Sequence, residues 1–152
     1  MNPFLLPMIR VQMKVLIFAA ALMLTACSQT QGMIDDRSAK PCVDSPNCVS
    51  TQDSRESHQL APFELTDSAT LDNIEQVALS LPRANTAVKK DNYLRIEYTS
   101  RVFGFVDDLE LRMANSKLWV RSQSRVGYYD FGVNRKRAQT LRAALQQANL
   151  IE

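Results

Sequence analysis

Between residues 67 and 149 the chain changes its hydrophobic period twice. Leu71, Ile74, Val77, Ala78 and Leu81 recur at helical spacing, Asp67 or Ser68 stands where an N-cap belongs, and Pro82 closes the run. From residue 86 the period drops to two. Residues 86–89 and 93–98 read as a strand pair around Lys90-Asp91-Asn92, with Leu94, Ile96 and Tyr98 on one face and Tyr93, Arg95 and Glu97 on the other. A three-residue turn is expected, because it sets Val88 opposite Leu94 and Thr86 opposite Ile96, whereas a two-residue turn puts Lys89 against Leu94. Residues 105–113 and 118–124 form a second pair about Asn115-Ser116. Phe105, Asp107, Leu109, Leu111 and Met113 share one face there, and Val106, Asp108, Glu110 and Arg112 the other. This register pairs Leu111 with Val120, Met113 with Leu118, Arg112 with Trp119 as a cation–π contact, and Glu110 with Arg121 as a surface ion pair. Asp107 falls opposite Ser124 on the otherwise apolar side, where a carboxylate needs a partner. Helical spacing returns over residues 134–149, with Ala138, Leu141, Leu145 and Ala148 as the buried stripe.

The pattern predicts an α+β fold: a four-stranded, mainly antiparallel sheet in a meander, with one helix before it and one after, both packed on one face. The charged face is then expected to meet water or a partner.

The N-terminus follows another pattern. Arg10 and Lys14 precede the apolar run of residues 15–24, the layout of a secretory signal. The run is about half the ~20 residues a membrane-spanning helix needs, so cleavage is expected rather than a permanent span. Leu24-Thr25-Ala26-Cys27 resembles the lipobox of bacterial lipoproteins, in which the cysteine is acylated and becomes the mature N-terminus. Several acyl chains on Cys27 make attachment durable where one chain holds only marginally. Met13-Lys14 and the following run already make a complete short signal, so translation from Met13 is an alternative to Met1 or Met8. Ser28, where an aspartate tends to retain such proteins in the inner membrane, favours the periplasmic face of the outer membrane. The expected division is a signal peptide over 1–26, a lipidated tether over 27–40 rich in Gln, Ser and Asp, and one domain over 41–152.

Removing the signal alters the charge. The full chain carries 18 Lys and Arg against 16 Asp and Glu, and the signal holds two of the cations and no acid, so the remainder is balanced. No net cationic field is left to neutralise phosphates, and a nucleic-acid partner is not expected. With Cys27 assigned to lipid, Cys42 and Cys48 are expected to pair in an oxidising envelope, closing a loop turned by Ser45-Pro46-Asn47. Their spacing is not the C-x-x-C of a thiol oxidoreductase, and two thiolates without a nearby histidine make a poor zinc site.

The last helix opens on Arg135-Lys136-Arg137, although helix N-termini favour anions. Protein carboxylates such as Asp107, Asp108 and Asp130, or a bound anion, must offset these cations. Three blocks carry a resemblance: Cys42-Val43-Asp44-Ser45-Pro46-Asn47-Cys48-Val49-Ser50, Phe103-Gly104-Phe105-Val106-Asp107-Asp108-Leu109-Glu110, and residues 121–137 from Arg121-Ser122-Gln123-Ser124-Arg125 to Asn134-Arg135-Lys136-Arg137. In this order they resemble the motifs of the DUF1499 family, with Val43 where that family commonly has proline. The resemblance implies a compact envelope-associated domain and no established activity.

Many of the matching residues are polar, which points to a site. Asp107 and Asp108 face opposite sides of a strand and cannot act as a facing pair. Asp108 and Glu110 share a face and are the candidate acid and base of a hydrolase acting on an envelope glycan or phosphoester. His58 is the only histidine, Ser122 and Ser124 lack a nucleophile elbow, and a carboxylate-only metal site lacks calcium-loop spacing. No cofactor or metal is expected. The leading expectation is a non-enzymatic module in which Arg121, Ser124, Arg125, Asp130, Asn134, Arg135 and Arg137 recognise an anionic group on an envelope lipid, glycan or protein. A third reading makes the same residues a structural lock of buried salt bridges, with function in protein–protein contacts.

Overall fold

In the computed structural model the elements run β1 (Cys48–Ser50), β2 (Phe63–Glu64), α1 (Leu71–Leu79), β3 (Ala84–Lys90), β4 (Tyr93–Thr99), β5 (Val106–Ala114), β6 (Lys117–Ser124) and α2 (Val133–Gln147). The structure describes residues Asp35–Glu152, which form one unit. The signal segment, the alternative starts, the lipobox at Cys27 and the first part of the tether lie outside the described residues. The strand order is β1-β6-β5-β4-β3, with β2 also on β6, and every strand pair is antiparallel.

The α+β class and the mostly antiparallel sheet stand, but the sheet has six strands rather than four. The two additional strands are too short to show a period. β1 lies along Arg121, Ser122 and Gln123 of β6 at the end of the disulfide-closed loop, and β2 sets Phe63 against Leu118.

The hairpin of β5 and β6 keeps the expected register, Leu111 opposite Val120 and Asp107 opposite Ser124. Asn115 and Ser116 both adopt positive φ, 53° and 57°, as a two-residue hairpin turn demands. The hairpin of β3 and β4 differs from expectation. Its turn is Asp91-Asn92, so Lys89 sits opposite Leu94 and Val88 opposite Arg95, and an irregularity between Thr86 and Val88 restores Thr86 to Ile96. A bulge thus reconciles the tighter turn with the apolar pattern, since the extra residue shifts the strand by one position. Trp119 makes no cation–π pair with Arg112; the Arg112 guanidinium lies 5.3 Å from the centre of the Tyr93 ring instead.

Both helices cover one face. Ile74 and Ala78 of α1 and Leu141 and Leu145 of α2 pack with Leu94, Ile96, Leu109, Leu111, Leu118 and Val120 of the sheet, all fully buried. Removing a leucine from such a site costs about 2–5 kcal/mol. The cap of α1 is Thr70, whose hydroxyl accepts the amide of Asn73 at 3.2 Å, rather than Asp67 or Ser68. Ala148 is exposed at the C-cap of α2, and Asn134 replaces it on the buried stripe.

Candidate functional site

The polar motif residues fall into two clusters, one on each face of the sheet. On the helix face, the Asp107 carboxylate has its required partner. Arg137 Nη2 donates to it at 2.7 Å, and the Arg137 guanidinium lies 4.6 Å from the centre of the Tyr98 ring. Arg137 Nη1 also donates to Asn134 Oδ1 at 2.7 Å and Ser122 Oγ at 3.2 Å. Asn134 is fully buried and ties the cluster together. Its Oδ1 accepts from Ser122 Oγ at 2.6 Å, and its Nδ2 lies 2.9 Å from the Asn47 carbonyl, 3.0 Å from Ser124 Oγ and 2.8 Å from Asp130 Oδ2. The disulfide loop, β6 and the start of α2 are therefore joined through one amide side chain. Burial pushes the Tyr98 phenol up to about 12.

This cluster also resolves the cationic first turn of α2. Asp130 accepts the amides of Gly132 and Asn134 at 2.9 and 2.8 Å, placing a carboxylate at the helix N-terminus. Gly132, at φ 77°, turns the chain into the helix. Arg135 points away and donates to the carbonyls of Ser57 and Gln59, each at 2.9 Å.

The opposite face is charged, as expected, but it is not open. Residues 35–40, assigned to the tether on composition, include side chains packed against the sheet. Arg37 donates its backbone amide to Glu110 Oε2 at 2.6 Å and its Nε to Glu110 Oε1 at 2.8 Å, while Nη2 reaches Asp108 Oδ2 at 3.3 Å. Arg112 reaches Ser38 Oγ at 3.1 Å and pairs with Asp36. Arg125 clasps Asp108 through Nε at 3.0 Å and Nη2 at 2.7 Å and also pairs with Glu97. These carboxylates hold the Arg125 guanidinium above its ordinary pKa. Tyr93 donates to Glu110 Oε2 at 3.2 Å, and burial next to that carboxylate raises its phenol.

Glu110 and Arg121 do lie opposite each other, but not as the surface pair that was expected. Their residues are 0% and 2% exposed, and Arg121 Nη1 is 3.8 Å from Glu110 Oε1. Arg121 Nε and Nη1 are buried without a hydrogen-bond partner, and burial, followed by the nearby Arg37, lowers the Arg121 pKa. The distance follows from competition: Arg37 occupies the Glu110 oxygens more closely than Arg121 does.

Asp108 and Glu110 are thus on one face, as read from the alternation, and they share Arg37. Both carboxylates accept from protein donors and neither is exposed by more than 1%, so a substrate would have to displace the arginines first. Among the described residues no group of His, Cys, Asp and Glu is placed to hold a metal. His58 is buried, with Nδ1 3.0 Å from the Cys48 carbonyl.

Sequence reasoning missed Arg37, Asp53, Arg55 and Glu97. Asp53 accepts the Cys42 amide at 2.9 Å and the Arg55 guanidinium at 2.7 Å, and its carboxyl is held far below the usual range, first by Arg55. Arg55 bridges on to Asp44 and the Cys42 carbonyl. Cys42 and Cys48 are disulfide-bonded, with Cα atoms 5.7 Å apart. The Arg37 contact spans more than 70 residues, and no local pattern announces it.

The fold and its clusters define an α+β domain whose motif side chains bind one another across an antiparallel sheet. Residues 26–145 match the family model "Protein of unknown function (DUF1499)", and the chain belongs to that family. No curated protein and no solved structure matches it.

Proposed function

We propose that this chain is an envelope lipoprotein, anchored through Cys27 at the periplasmic face of the outer membrane, that works as a non-enzymatic accessory module by surface contact. The family motif serves as its structural lock. The observation that carries this reading is the destination of two arginines: Arg125 ends on Asp108 and Glu97, and Arg137 on Asp107. Cations already neutralised by buried carboxylates have little left to offer an anionic ligand, because exchanging partners exposes the carboxylate to desolvation without compensation. Asp130, Ser124 and Asn134 are likewise engaged with their own chain.

Anchoring is supported by the apolar run of residues 15–24 and by Leu24-Thr25-Ala26-Cys27; no helix among the described residues is long and apolar enough to cross a membrane. A clickable palmitate analogue fed to expressing cells is expected to label the wild-type chain and to leave Cys27→Ala unlabelled. Equal labelling of both contradicts the anchor.

One observation favours a second reading. Arg121 has two buried nitrogens lacking hydrogen-bond partners, Nε and Nη1, donors that an anion on the charged face would satisfy. Stabilisation of the full chain by millimolar phosphate, retained by Arg125→Gln and lost in Arg121→Gln, would favour it.

A further inference from the structure

One end of the sheet carries an apolar surface that neither cluster uses. Among the described residues, eight of the ten large hydrophobic side chains that are exposed belong to two segments, residues 102–105 and 126–133. Val102, Phe103 and Tyr128 are exposed by 79%, 75% and 74%, and Phe131 by 87%. The two segments leave the sheet side by side: Asp107 is paired with Ser124, and the Arg125 amide donates to the Val106 carbonyl at 3.1 Å. Within each segment the rings meet, Phe103 on Phe105 at 5.5 Å and Tyr129 on Phe131 at 5.1 Å. Aromatic rings grouped at loop tips are costly in water and mark a contact surface.

We infer that this end of the sheet inserts into the interfacial zone of a lipid bilayer carrying anionic headgroups. The inference rests on the anchored reading above and names the surface the domain presents to its own membrane. Charge supports a bilayer as the occupant. The acids on or between the two segments are engaged, Asp107 with Arg137, Asp108 with Arg125 and Asp130 with the amides of α2, and in the adjoining disulfide loop the exposed Asp44 is paired with Arg55. Arg83, Arg101 and Lys136 stand exposed at or beside it and make no ion pair among the described residues. Aromatic tips with a cationic rim are the chemistry of the membrane interface. Chain length also permits it. Asp36 pairs with Arg112, six residues up β5 from Val106, a rise of about 20 Å. Cys27 precedes Asp36 by nine residues, which reach at most roughly 30 Å. An acyl anchor with a second, protein-borne contact is the combination that makes attachment stable.

The test uses the full chain as purified from cell membranes, reconstituted into vesicles of phosphatidylethanolamine and phosphatidylglycerol doped with spin-labelled lipid. Amide signals of residues 102–105 and 128–131 are expected to lose most of their intensity, while those of Asn115 to Lys117, at the other end of the sheet, keep theirs. Phe103→Ser with Phe131→Ser, both at exposed positions, should restore the loop signals without changing the fold. Loops that keep their intensity on vesicles overturn the inference. Loop signals that keep their intensity on lipid alone and change only when envelope proteins are added overturn it too, in favour of a protein partner. Mass spectrometry of the N-terminal peptide reports acylation of Cys27 separately. An unmodified Cys27 with broadened loops would refute the anchor and uphold the surface, and an acylated Cys27 with unbroadened loops the reverse.

Discussion

The two faces of the sheet bury charge by different means. The helix face buries the ion pair of Asp107 with Arg137 inside a knot of hydrogen bonds centred on the neutral Asn134. The other face sets Asp108, Glu110 and Glu97 among Arg37, Arg95, Arg121 and Arg125, and Arg37 comes from a segment far away in sequence. The knot is closed by β5, β6, α2 and the disulfide loop, and none of its buried side-chain nitrogens or oxygens lacks a partner. The charged face depends on Arg37 to neutralise Glu110, and Arg121 keeps unmatched nitrogens even then. Burying charge is tolerable where every donor and acceptor is matched and expensive where one is not.

The largest expected effect is therefore on the charged face. Glu110→Gln leaves Arg37 and Arg121 without their shared carboxylate and should cost about 3–5 kcal/mol in urea unfolding, the cost of breaking a buried pair. Asp107→Asn is expected to cost less, about 1.5–3 kcal/mol, because Arg137 keeps Asn134, Ser122 and the Tyr98 ring. If the two costs are equal, the contrast between the faces fails. Next comes the disulfide: Cys42→Ser with Cys48→Ser should cost roughly 2 kcal/mol, the loop entropy of so short a ring.

Acid should act beside that loop. The folded pKa of Asp53 lies below its unfolded value, so its contribution is present above the unfolded pKa, near 4, and disappears as pH falls through the folded one. Urea midpoints measured from pH 5 downwards should decline, and Asp53→Asn should flatten part of that decline. The smallest effect is expected at Lys89, an exposed residue paired with Asp72 and Glu75, where Lys89→Ala should change stability by less than about 1 kcal/mol.

Much of this was legible in the sequence because alternation reports faces directly. The register of β5 and β6, the placing of Asp107 against the apolar side and the separation of Asp107 from Asp108 all follow from period two. The disulfide follows from spacing and compartment. The β3 register was misread because a bulge restores Thr86 to Ile96, so the apolar pattern could not distinguish turn lengths. β1 and β2 are three and two residues long, below the length at which a period can be counted. The sequence singles out Arg121, Arg125, Arg135 and Arg137 as candidate ligand-binding residues, and the structure shows Arg125 and Arg137 on carboxylates and Arg135 on backbone carbonyls of the chain itself. Asp107, Asp108 and Asp130 are nameable as partners from the sequence, but which carboxylate meets which arginine is not: Arg125 reaches Glu97 and Asp108, and Arg37 reaches Asp108 and Glu110, only once the sheet is assembled. Exposure misled in the same way: Glu110 opposite Arg121 reads as a surface pair until residues 35–40 pack against that face.

The structural role of the motif arginines is tested most directly by a double-mutant cycle on Arg137 and Asp107, with Arg137→Met, Asp107→Asn and the double variant compared by urea unfolding. If the pair is an internal lock, the double variant loses less stability than the two single losses combined, by a coupling of about 1–3 kcal/mol. Losses that add to within about 0.5 kcal/mol would show that Arg137 does not depend on Asp107, and would return it to the residues available for a ligand.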